Sequence, residues 1–126
     1  MKEILFKALT KEGKWVEGYY VKNGEGEHKE FIYKPSKELY VNVIIPVIPK
    51  TVCQYTNLKD KNGNKIFEGD WLYSSRMKIK YLVAFRDCRF IVEDEVGNGI
   101  KTTQEAFDHM EIEIIGNIHA EATDDK

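Results

Sequence analysis

At 126 residues the chain has the length of one domain, long enough to bury a core without a metal or disulfide staple. Its 42% hydrophobic and 32% charged residues exclude the disordered class, and its net charge of -2 excludes strong long-range attraction to DNA or anionic lipid while leaving room for a local basic patch. The apolar run near Met1–Lys7 is broken by charge, unlike a secretory leader, and no stretch approaches the ~20 apolar residues that cross a bilayer, so a cytoplasmic protein is expected.

Period-two alternation dominates from the start, which predicts strands. Ile4, Phe6 and Ala8 share one face. After a turn at Lys11-Glu12-Gly13-Lys14, Trp15, Tyr19 and Val21 share a face opposite Val16 and Tyr20. Lys22–His28, with two glycines and no apolar anchor, reads as an exposed loop. A strand through Phe31–Tyr33 follows, then a β-branched strand over Glu38–Ile45 that is the candidate for an unpaired edge. Pro46 and Pro49 interrupt pairing, since proline has no backbone donor, and mark a seam between two halves.

In the second half Asp60-Lys61-Asn62-Gly63 predicts a type I′ hairpin turn. Lys65–Tyr73 reads as one strand with a bend or bulge at Gly69-Asp70. Met77, Ile79, Tyr81, Val83 and Phe85 alternate along a further strand, Arg86–Arg89 turns the chain, and Phe90–Glu95 continues. Thr102 followed by Glu105 has capping-box spacing, predicting a short helix over Thr103–Met110. A last strand takes in Ile112, Ile114 and Ile118, and residues 121–126 form a charged tail expected to fray.

The run Gln54-Tyr55-Thr56-Asn57-Leu58-Lys59-Asp60-Lys61-Asn62-Gly63-Asn64-Lys65-Ile66-Phe67-Glu68-Gly69-Asp70 resembles the signature of the YopX-type phage and prophage proteins. Gly116-Asn117-Ile118-His119 resembles that family's closing motif, and Trp15-Val16-Glu17-Gly18-Tyr19 its early strand. Asn57 departs from the family's usual Gly, and Asn tolerates a left-handed backbone best among non-glycine residues. The resemblance implies a small all-β protein whose second half has SH3-like barrel character. It implies no catalytic residues.

The expected fold is therefore all-β with one short helix: a single domain over 1–120, made of two packed β subregions of about 1–50 and 51–119, the second a partly open SH3-like barrel. The signature residues Gln54, Tyr55, Thr56, Leu58, Asp60, Asn62, Gly63, Glu68, Gly69, Asp70, Gly116 and Asn117 read as structural, because turns, a bulge and backbone hydrogen bonding account for their types.

Chemistry finds little foothold in the residues. Asp60, Asn62 and Asn64 imitate the opening of a calcium loop, but Lys65 replaces its glycine and Trp71 its closing glutamate. No metal or cofactor is expected. Serines lie outside any nucleophile elbow, and His28, His109 and His119 are scattered. Cys53 and Cys88 lack metal-ligand spacing and are expected as free core thiols. Three functions remain. A non-enzymatic phage accessory protein could act by binding a host or phage protein and itself, because tyrosine and tryptophan favour interfaces and strand edges need cover. A nucleic-acid module could use Arg76, Lys78 and Lys80 on one strand face beside Trp71 and Tyr73, although Glu93, Asp94 and Glu95 would offset that charge. An enzyme could have its site near Glu68 and Asp70. The first is the leading expectation.

Overall fold

The structure, a computed structural model, describes residues 2–24, 30–36 and 41–120. His28, Glu38–Tyr40 and the tail 121–126 lie outside the described residues. The chain divides into two compact units, Met1–Gln54 and Tyr55–Lys126.

The first unit contains strands β1 (Phe6–Leu9), β2 (Trp15–Lys22), β3 (Glu30–Ser36) and β4 (Val41–Pro46), and a 3-10 turn over Pro49–Thr51. Strand β5 (Cys53–Lys59) begins here. The order is β4-β3-β2-β1, all antiparallel, with Lys7 and Phe6 of β1 paired to Cys53 and Gln54. Alternation sends Ala8 and Ile32 to one face, where they pack with Val47 as a small core flanked by Phe6, Val16, Tyr20 and Val52. Thr51 ties the unit together: its hydroxyl accepts from the Leu9 N–H at 2.9 Å and donates to the Ile48 carbonyl at 2.6 Å.

Tyr20 donates its hydroxyl proton to Glu30 on the next strand. Burial first, then this bond and the glutamate charge, push the phenol up to about 12. Because the folded value exceeds the unfolded one, near 10, the stabilisation is complete below the unfolded value and is lost as pH rises through about 12. Tyr81 is also raised, by burial and then by the charge of Asp94. An absorbance titration should show two tyrosines ionising late, with alkaline unfolding beginning above pH ~10. Tyr20→Phe should remove one late ionisation.

The second unit pairs the end of β5 with β6 (Lys65–Phe67). It then builds an antiparallel sheet in the order β10-β9-β8-β7-β11 from β7 (Asp70–Ser74), β8 (Ile79–Arg86), β9 (Arg89–Glu93), β10 (Gly99–Ile100) and β11 (Ile112–Asn117). Helix α1 (Gln104–Met110) precedes β11. Ile66, Leu72, Tyr81, Val83, Val92, Phe107 and Ile112 form the core. The chain is mostly β with one short helix, as expected, but the described strands form open sheets and no closed barrel.

Several local expectations change. Lys65–Tyr73 is two strands, because Gly69 takes φ 86° and turns the chain between β6 and β7. The helix cap is Thr103, whose hydroxyl accepts from the Ala106 N–H at 3.2 Å. The capping box from Thr102 to Glu105 is therefore not used. Cys88 is exposed rather than in the core, while Cys53 is buried. Ile118 lies beyond β11, which is irregular between Ile114 and Gly116.

The turn chemistry is partly the reverse of expectation. At Asn62-Gly63 only the glycine has positive φ, 82°, so the turn is not type I′. Gly63 N–H donates to the Asp60 carbonyl and Asp60 N–H to the Asn64 carbonyl, the three-residue loop closed by a left-handed glycine. Thr10–Lys14 and Asp94–Asn98 repeat this bonding, and in all three the first residue's side-chain oxygen accepts from the N–H of the fifth. The doubly left-handed turn is instead Asp87-Cys88, with φ 52° and 63°. Neither residue is glycine, so both carry the Cβ–carbonyl crowding of that region. The double change Asp87→Asn with Cys88→Gly should raise stability by about 1–2 kcal/mol, read as a higher urea midpoint at unchanged slope.

Candidate functional site

The signature residues cluster around the breaks in the strands of the second unit. Strand β5 loses register with β6 between Tyr55 and Leu58, where Asn57 takes φ 67°. The Thr56 hydroxyl bridges the gap, donating to the Ile66 carbonyl at 2.7 Å and accepting from the Leu58 N–H at 3.1 Å. A left-handed residue is needed there, so Asn stands in for Gly with little strain. Tyr55 is buried, with its ring 5.4 Å from that of Phe67 and the Lys65 ammonium 5.7 Å from its centre. Gln54, in the first unit, is half-buried.

Asp60 anchors its hairpin with both carboxylate oxygens. Oδ1 accepts from the Asn62 and Asn64 N–H groups at 2.9 Å, and Oδ2 accepts from the Ile114 N–H of β11 at 3.1 Å. The Lys61 N–H also donates to the Ile112 carbonyl. A carboxylate so engaged with amides is a turn anchor, and the resemblance to a calcium loop ends there.

Asp70 is fully buried. Its Oδ2 accepts from the Phe67 N–H at 2.7 Å and its Oδ1 from the Asn117 amide at 2.9 Å. The orientation of that amide is set by the His119 N–H, which donates to the Asn117 oxygen at 2.9 Å. Around this node the Gly69 N–H donates to the Val83 carbonyl and the Ile118 N–H to the Gly69 carbonyl. Gly116 is opposite Trp71 at the irregularity in β11. The node thus gathers Gly69, Asp70 and Asn117, and places Gly116 beside it. Glu68 is half-buried while Asp70 is enclosed, so the two do not present a shared exposed pair of carboxylates. Among the described residues no group of three or more His, Cys, Asp or Glu side chains is placed to hold a metal ion.

The basic strand face is not formed as expected. Strand β7 ends at Ser74, and Arg76, Met77 and Lys78 lie in the turn before β8, with Lys78 at φ 58°. Only Lys80 of the three is in the strand, and its ammonium stands 4.5 Å over the Trp71 ring. The Ser74 hydroxyl stops β7 by accepting from the Met77 N–H and donating to the Met110 carbonyl. Arg86 pairs with Glu93 across the β8–β9 hairpin.

A different surface emerges in the first unit. Partners in antiparallel register share a face. Tyr19 is opposite Tyr33, which is opposite Ile44; Val21 is opposite Phe31, which is opposite Pro46. The result is a two-by-three array of uncharged, mostly apolar residues on the face opposite the small core. Tyr19 is 50% exposed, Val21 42% and Ile44 61%, and the Tyr19 and Tyr33 rings are 6.2 Å apart. Sequence alternation places Tyr19 and Val21 together, but the cross-strand rows need the register. Nearby Trp15 is stacked under the Lys7 ammonium at 4.5 Å.

Residues 4–123 match the family described as YopX protein. The chain belongs to the YopX family. This YopX-family chain is also similar to the crystal structure of protein EF1440 from Enterococcus faecalis, with 23% identity over 97% of each chain and a TM-score of 0.61. Identity at that level speaks to the fold alone. No curated protein matches the YopX-family chain. No helix among its described residues is long and apolar enough to cross a membrane.

Proposed function

We propose that this YopX-family chain is a non-enzymatic accessory protein of phages or prophages, working in the host cytoplasm by binding protein, itself included. The observation that carries the proposal is the array in which exposed Tyr19, Val21, Ile44 and Pro46 surround half-buried Phe31 and Tyr33. An uncharged aromatic and aliphatic patch of this kind is chemistry for a protein interface. The family match runs through both compact units, which supports treating them as one functional domain. The enclosed hydrogen bonding of Asp60 and Asp70 supports a structural role for the signature rather than a reactive one.

The test is affinity capture from induced host lysate, comparing the wild-type chain with Tyr19→Lys/Ile44→Glu after nuclease treatment and at moderate salt. A specific protein held by the wild type and lost by the variant is expected. If every captured protein is retained by the variant, the array is not the binding surface. Arg76→Glu/Lys78→Glu should leave that capture unchanged. If it abolishes capture, or if bound material disappears with nuclease and salt, the nucleic-acid alternative takes over.

A further inference from the structure

Strand β4 ends the strand order, and among the described residues nothing pairs with its other side. The direction of its backbone groups follows from one hydrogen bond. The Val47 N–H donates to the Glu30 carbonyl at 3.2 Å. In an antiparallel ladder the bonding residues alternate, so Ile45 and Val43 point their groups at β3. Asn42, Ile44 and Pro46 point theirs outward. Pro46, which has no N–H, therefore occupies a phase where no bond to β3 is lost.

From this edge we infer that a second copy of the chain pairs its own β4 antiparallel to the first, about a two-fold axis at Val43. The inference rests on the self-binding part of the proposed function and names its surface. Centring on Val43 sets Asn42 of each copy opposite Ile44 of the other, and both residues have free-pointing N–H and C=O groups for a complete pair of ladder bonds. Centring on Ile44 instead would set Pro46, which has no N–H to give, opposite Asn42 and leave the outward Asn42 carbonyl of each copy without a donor. The described strand, Val-Asn-Val-Ile-Ile-Pro, carries no charge. Two identical strands can then meet without like charges opposed, the condition that self-pairing imposes. Val43 is 36% exposed and meets its own copy across the axis, so this face gains apolar contact. The axis runs normal to the sheet, which brings the two uncharged arrays onto one side of a continuous sheet. One array covers roughly 200 Å², from strand spacing and rise, far below the ~800 Å² per partner of a stable interface. Pairing doubles the surface offered to a protein partner.

The register has a covalent test. Opposed Val43 residues form a non-hydrogen-bonded pair with Cα atoms about 4.5 Å apart, within disulfide reach. In a Cys88→Ser background, which leaves the buried Cys53, Val43→Cys should convert most of the protein to a covalent dimer under mild oxidant. Val21→Cys, exposed but away from the edge, should not. Ile44→Pro removes an outward N–H without touching the β3 ladder, and should halve the mass seen by light scattering while circular dichroism stays unchanged. A dimeric wild type whose Val43→Cys form fails to cross-link overturns the β4 pairing and leaves self-binding standing through another surface. A wild type that is monomeric at the highest concentration reached overturns both.

Discussion

Replacing Asp70 with Ala is expected to destabilise the second unit by about 3–5 kcal/mol, because it removes the buried carboxylate that accepts from the Phe67 N–H and the Asn117 amide. Against a total stability of roughly 5–15 kcal/mol, this is a loss few folds absorb. Asp70→Asn should be milder but still unfavourable. Its amide group would face either the Phe67 N–H or the Asn117 amide, donor against donor, and Asn117 cannot turn over without surrendering the bond from the His119 N–H. The fluorescence of Trp71, the neighbouring residue, reports the transition in a Trp15→Phe background. An unchanged urea midpoint for Asp70→Ala would show that the node does not hold the second unit together.

Gly18→Ala is expected to have a comparable effect in the first unit, about 3 kcal/mol. A Cβ built on Gly18 would fall 2.4 Å from the Tyr33 carbonyl oxygen and 2.8 Å from Ile32 Cγ2. The first obstacle is backbone, so relief means parting β2 from β3, not turning a side chain. Because those strands carry the Tyr19–Tyr33–Ile44 row, the same change should weaken protein capture. Gly13→Ala is the control. It meets nothing within 4 Å, and only its φ of 82° resists the substitution, for about 1–2 kcal/mol. Trp15 fluorescence in a Trp71→Phe background separates the two. Equal midpoints for both variants would mean that the close approach at Gly18 relaxes freely.

Local alternation was enough to place most strands of both units and the faces of β2, since a strand's side-chain period is a property of the chain itself. The signature run was enough to indicate the family and the positions that break the strands. Asn57 as a left-handed residue was legible for the same reason, because its need is met within its own backbone. Reading Lys65–Tyr73 as one strand with a bend or bulge at Gly69-Asp70 found the position of the break but not that it ends the strand, since apolar residues continue on both sides of it. Reading Arg76, Lys78 and Lys80 as one strand face missed the Ser74 hydroxyl, which caps β7 through a bond to Met110, 36 residues further along.

The sequence by itself determined the all-β character, the family and the residue types at the turns, because periodicity, glycine conformation and side-chain hydrogen bonding to nearby amides are local physics. Tertiary structure alone decided that Asp70 meets Asn117, that Gly18 lies under the Tyr33 carbonyl, and that Tyr19, Tyr33 and Ile44 form one row. Each of those facts is a cross-strand register. Register is set by how distant segments pair and by which face is buried, and a slip of a single residue would have turned every one of these side chains to the other side.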